Sequence, residues 1–149
     1  MKSEDEPVTD DEWLLRRVWR DRFRTDSNPI IKPRAFEPRF DKNARDIDTD
    51  GISLYRLACV NDPTDILSLV AEDKRGSIGI VRVSVAFLKS LGLTVLCRPR
   101  PEIPGHVVLP ELNAEDYKAN KGKFTPILKD LADEASKDAN IVRPPDPLD

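Results

Sequence analysis

Residues 77–97, SIGIVRVSVAFLKSLGLTVLC, decide the fold. The run Ile78-Gly79-Ile80-Val81-Arg82-Val83 is rich in β-branched residues and predicts a central strand. Ser84 is placed to cap a helix over Val85-Ala86-Phe87-Leu88-Lys89-Ser90-Leu91, and Gly92 stands where a left-handed C′ residue ends it. Leu93 to Cys97 then predicts a further strand. Strand, helix and strand in succession are compatible with a βαβ crossover, although two helical turns are short for one.

Outward from this run the chain alternates short strands with short helices. Asp48-Thr49-Asp50-Gly51 is a turn signal, and Ile52-Ser53-Leu54-Tyr55-Arg56-Leu57 alternates as a strand does. Asp62-Pro63 supplies an N-cap and a proline at the first helical position, so Ile66, Leu67 and Val70 are expected on a short helix ending near Asp73. Downstream, His106-Val107-Val108-Leu109 predicts a strand stopped by Pro110. Asn113 caps a helix to about Lys121, a second helix follows Pro126, and Ile141-Val142 forms a last short strand. The expected fold class is α+β: a small mixed β-sheet of four or five strands, helices on one face, and an irregular N-terminal arm.

That arm carries the clearest asymmetry in the chain. Residues 12–45 hold ten Lys and Arg against five acids, whereas the whole chain has a net charge of -3. Five of the nine aromatics also fall there: Trp13, Trp19, Phe23, Phe36 and Phe40. Thr9 followed by Glu12 reads as a capping box, and Trp13, Leu14 and Val18 as a helical stripe. Past Thr25 the X-Pro pairs Asn28-Pro29, Lys32-Pro33 and Glu37-Pro38 favour extended backbone. The organisation expected is a helix and a basic, aromatic, proline-punctuated arm over 1–45, a compact unit over 46–142, and a rigid, unpacked tail over 143–149.

Composition narrows the functional class. One domain is natural at 149 residues. The pI near 5.3 excludes a globally basic nucleic-acid binder while leaving room for a local patch. Cys59 and Cys97 each sit in apolar runs without a histidine or second cysteine at metal-ligand spacing, so both read as buried thiols. The N-terminus is acidic and lacks an apolar core, and Arg82 and Lys89 interrupt the most apolar stretch; neither a leader nor a membrane span is expected, and the cytoplasm is the expected location.

No nucleotide-binding glycine loop, nucleophile elbow, zinc-protease helix or Cys-x-x-Cys occurs. Asp48-Thr49-Asp50-Gly51 opens like a calcium loop, but Cys59 stands where its closing glutamate is required. No metal and no cofactor is expected. Candidate catalytic residues are therefore dispersed. His106, the only histidine, suits a general base; Glu111 stands at the far end of its strand; Tyr55 and Arg56 lie on the first strand. An inward arginine such as Arg56, or Arg82 on the next strand, needs a carboxylate such as Asp48 or Asp50, or an anionic ligand.

The segments Asp11–Arg17, Asp48–Arg56 and Gly105–Leu112 together resemble a family of short bacterial proteins without an established activity. The likeness spans roughly residues 10–142 and implies a bacterial origin and a compact unit. Arg56, Ser84 and Glu111 also fall in an order similar to the Arg, Ser and Glu set of ADP-ribosyltransferases. That likeness implies a cleft in which Arg56 holds the phosphates of NAD.

Three functions follow as expectations. The first is a non-catalytic interaction or accessory protein that binds a larger protein partner through Trp13, Arg16, Arg17, Trp19, Arg20, Phe23, Phe36 and Phe40. The second is a small enzyme acting on NAD or another phosphorylated ligand, with Tyr55, Arg56, His106 and Glu111 in one cleft. The third is nucleic-acid binding through the arm, disfavoured by the five acids within it.

Overall fold

The computed structural model describes residues 1–24, 30–39 and 48–147. Among the described residues six strands form one open sheet: β1 Trp13–Trp19, β2 Ile52–Arg56, β3 Ile78–Ser84, β4 Leu96–Cys97, β5 His106–Leu109 and β6 Ile141–Arg143. Their spatial order is β4-β5-β2-β1-β3-β6, and every pairing is antiparallel. The α+β class holds, but the sheet is neither mixed nor limited to four or five strands.

The additional strand is β1, where a helix was expected. Trp13 to Trp19 pairs with β3 along its whole length, from Trp13 opposite Ser84 to Trp19 opposite Ile78. Its apolar residues fit either period, because Leu14 and Leu15 are both fully buried and therefore need cover on two faces. A surface helix would leave one of them wet; a central strand buries both. The Thr9–Glu12 contacts do form, with the Thr9 N–H donating to Glu12 Oε2 at 2.9 Å, but they close a turn that feeds the strand.

The helix α1, Val85–Ser90, starts as expected, with the Ser84 hydroxyl accepting from the Phe87 N–H, and Gly92 takes φ +80° behind it. No βαβ crossover follows. Six helical residues are too few to return the chain alongside β3, and β4 instead pairs with β5 at the other edge of the sheet. Asp62 caps as expected, in a capping box with Asp65, but the segment forms 3-10 turns over Pro63–Leu67 and Glu72–Ser77 rather than one α-helix. α2 spans Ala114–Ala119, capped by Asn113, and α3 spans Lys121–Ala135. Pro126 lies inside α3 rather than ahead of it; Gly122, whose carbonyl loses its partner there, is exposed.

Strand alternation sorts the core into two layers. Leu14, Val18, Leu54, Val81 and Val83 face the α-helices and meet Phe124, Leu128 and Leu131 of α3, with Phe36 among them. Leu15, Tyr55, Ile78 and Ile80 face the opposite side, covered by Val60, Ile66, Leu67 and Ile103. The α-helices thus occupy one face, as expected, and 3-10 turns and loops close the other.

The 1–45 segment is not an irregular appendage where it is described. Phe36, in the 3-10 turn Pro33–Phe36, is fully buried, a contribution of roughly 1.5–3 kcal/mol. The Phe23 ring lies so close over Gly79 that a Cβ there would stand 2.5 Å from Phe23 Cζ. The tail packs as well: the Asp146 N–H donates to Gly76 O at 2.7 Å and Arg20 Nη2 to Asp146 O at 2.7 Å. Cys59 is buried as expected, but Cys97, on the short edge strand β4, is exposed. Among the described residues no helix is long and apolar enough to cross a membrane.

Candidate functional site

The sheet is split at its centre. β1 and β2 share only two residue pairs, Leu14 with Arg56 and Leu15 with Tyr55. Beyond them β1 continues along β3 while β2 continues along β5, and a wedge opens between Arg16 and Ser53. Backbone carbonyls exposed by such a split need donors. Arg16 supplies them: Nη1 donates to Ser53 O at 2.8 Å, and Nε and Nη2 donate to Ala35 O at 3.1 and 3.0 Å.

Arg16 is 8% exposed, and among the described residues no carboxylate lies within ion-pair distance of it. Burial lowers its pKa to about 10; Asp48 opposes the shift and the nearby Arg39 and Arg17 add to it. It remains a cation at neutral pH. Arg17, on the opposite face of β1, lies 5.7 Å over the Tyr55 ring and reaches Ile66 O at 3.4 Å.

The wedge widens into a cavity of about 460 Å³. Among the described residues five arginines line it, Arg16, Arg17, Arg22, Arg34 and Arg39, against a single acid, Glu37. Val18, Trp19, Val70 and Ile78 supply apolar wall. The rim ion pairs are loose or outward. Arg34 stands 3.9 Å from Glu37, Arg39 3.4 Å from Asp48, and Arg22 pairs with its exposed neighbour Asp21 at 2.7 Å. Even with Asp21 and Asp48 included, positive charge among the described residues is in excess by two.

Trp19 and Arg22 also border an open groove of about 1010 Å³, shared with Arg20, Phe23, Lys74, Pro145 and Pro147. Trp19 is 43% exposed. Its strand ends here, so no further residue of β1 covers the indole.

The expected catalytic residues do not share one cleft. Tyr55 and His106 are cross-strand partners with ring centroids 5.3 Å apart, whereas Arg56 follows Tyr55 on the strand and faces the other side of the sheet. Arg56 is 1% exposed and grips Glu12 with both ends of the fork, Nε to Oε1 at 2.8 Å and Nη2 to Oε2 at 2.9 Å. Nη1 donates to Glu6 O at 2.8 Å, so Arg56 fastens the N-terminal segment to the sheet. The carboxylate it needs is Glu12, not Asp48 or Asp50. Glu111 accepts from the Thr94 N–H and hydroxyl at 2.8 and 2.6 Å and braces the β4–β5 end. Ser84 is spent as the α1 cap. Arg82 reaches Asn140 Oδ1 at 3.2 Å and stacks 3.8 Å over Trp13.

His106 itself is 2% exposed and tightly held. The Arg98 carbonyl can only accept, so Nδ1 carries the proton and donates to it at 2.7 Å. Nε2 is then the acceptor for the Ser53 hydroxyl at 2.9 Å. Burial lowers the imidazole pKa below its usual 6.5, partly offset by the Arg98 carbonyl, so the ring is neutral at pH 7.

Of the residues expected to bind a partner, Phe36 and Arg16 are buried in the fold, Trp13 is covered by Arg82, and Phe40 lies outside the described residues. Trp19, Arg20 and Phe23 remain together on the groove. Arg22, Arg34 and Arg39 belong to the arginine cavity and stood out in the sequence only as members of the basic segment. No family model, curated protein or solved structure matches the chain.

Proposed function

We propose that the protein is an interaction protein that docks a larger protein partner on the groove centred on Trp19. The observation that carries this reading is the indole itself. A tryptophan 43% exposed at the end of a central strand, beside an open groove walled by Phe23, Pro145 and Pro147, is poised to bury a large area when covered. Tryptophan and arginine dominate the energetics of protein interfaces, and Arg20 and Arg22 flank this one. The groove suits an apolar side chain seated against Trp19. Arg20 already spends Nε and Nη2 on the Asp146 and Gly76 carbonyls and Arg22 pairs with Asp21, so acceptors of the partner meet the donors these bonds leave.

The test is affinity purification of the tagged full-length protein from its native cell, compared with Trp19→Ala. A stoichiometric partner that is lost with Trp19→Ala, while the variant keeps the wild-type circular dichroism and melting temperature, supports the reading. A partner retained at full occupancy by the variant refutes this groove as its docking site.

A further inference from the structure

We propose that the arginine-lined cavity between β1 and β2 binds the phosphate group of a small organic phosphate ester. This goes beyond the docking groove, with which the cavity shares Trp19 and Arg22, and rests on Arg16, Arg17 and Arg34, which do not line that groove. Five arginines line a cavity of about 460 Å³, a volume within the range of small-molecule sites. Arg16 anchors the floor, spending its donors on the Ala35 and Ser53 carbonyls, and places a charge beneath the cavity that no described carboxylate pairs at close range. Among the described residues no carboxylate bonds Arg17 or Arg34 closely: Arg17 meets the Ile66 carbonyl at 3.4 Å and the Tyr55 ring, and Glu37 stands 3.9 Å from Arg34. Guanidinium forks match phosphate oxygens in pairs, and a dianion would satisfy several of them at once.

The rest of the lining selects the molecule that carries the phosphate. Val18, Val70, Ile78 and Trp19 form an apolar side next to the cationic one, so the ligand has an apolar or planar body joined to its anionic end. The bounded volume favours a molecule of mononucleotide size over a polymer. The acidic balance of the whole chain, -3, disfavours a nucleic-acid strand running out of the cavity.

The experiment is titration of the full-length protein, followed by calorimetry and by tryptophan fluorescence, with AMP, ribose 5-phosphate and pyrophosphate as probes. Adenosine and citrate serve as controls. Saturable binding of AMP with a fluorescence change is expected, because Trp19 lines the cavity. Adenosine should fail, and affinity should weaken as salt is raised. Arg17→Gln and Arg34→Gln should each weaken AMP binding by about tenfold, as loss of one charge-assisted contact implies. Both variants change exposed or half-exposed side chains, and their melting curves check that folding is intact.

Three outcomes overturn the proposal. One is no saturable binding of any phosphate probe at millimolar concentration. Another is AMP binding that both variants leave unchanged, which places the ligand elsewhere. A third is citrate or a phosphopeptide binding where AMP does not, which assigns the cavity to a different class of anion. Partner capture through Trp19 is scored separately, so either reading can fail without the other.

Discussion

Arg56 and Glu12 form a buried, two-pronged ion pair, and at this scale the geometry dictates what a single substitution does. Burial alone would raise the Glu12 carboxyl, but the Arg56 and Thr9 hydrogen bonds outweigh it and hold its pKa below 4.5. Glu12→Gln strands a guanidinium that is 1% exposed, and the expected loss is about 3–5 kcal/mol, read as a fall in the urea midpoint. In the wild type the same pair contributes stability above pH 4.5 that disappears as pH falls through the lower folded value. His106 acts in a higher window. Its folded pKa is depressed, so the unfolded chain binds the proton more readily, and stability is full above pH 6.5 and declines as pH drops below it. Because His106 is the only histidine, the change in urea midpoint between pH 7.5 and 5.5 should shrink in His106→Gln. An equal change in both proteins would show that other groups titrate there.

At the scale of elements, the β3–Phe23 contact gives the sharpest expectation. A methyl group on Gly79 would stand 2.5 Å from Phe23 Cζ and 2.9 Å from the Arg143 carbonyl, so Gly79→Ala must displace either the aromatic ring or strand β6. The expected cost is roughly 1–3 kcal/mol, the usual penalty of overpacking. Phe23→Leu placed on top should recover part of it, since the ring yields and the backbone carbonyl does not; a double-mutant cycle measures the coupling. Local signals were what the sequence showed well. Ser84 and Gly92 bracket α1, Asn113 caps α2, and Asp62 serves as an N-cap, because each depends on a few neighbouring residues. Trp13–Trp19 was misread for the opposite reason. Its apolar spacing satisfies a helical stripe, and only the distant partners Arg56 and Ile78–Ser84 make it a strand. The arginine cavity was illegible on the same ground. Arg16, Arg34 and Ser53 meet only because β1 and β2 part after two pairs, and no local pattern encodes where a ladder splits.

At the scale of the molecule, the position of β1 decides what the N-terminal segment is for. A basic, aromatic segment of 45 residues invites deletion as a detachable arm, yet its strand lies third from one edge and fourth from the other. Removing residues 1–45 would unpair the inner edges of β2 and β3, expose Leu54, Val81 and Val83, and strip Glu12 from Arg56. The lost apolar burial and the stranded charge each cost several kcal/mol, comparable to the whole stability of a domain this size. The truncated chain should therefore show no cooperative urea transition and no protected core amides in hydrogen exchange. The intact protein should protect the amides of β1 and β3 longest, since theirs is the longest ladder. If the fragment from residue 46 onward instead unfolds cooperatively, with β2 and β5 still protected, then β1 is a removable strand laid into a preformed sheet. That result would make the N-terminal segment an exchangeable element, and a partner strand could take its place between β2 and β3. Loss of cooperativity ties Trp19 rigidly to the central sheet. Partner capture should then be tested with point substitutions at Trp19, because truncation would abolish binding by unfolding the protein and not by removing a contact.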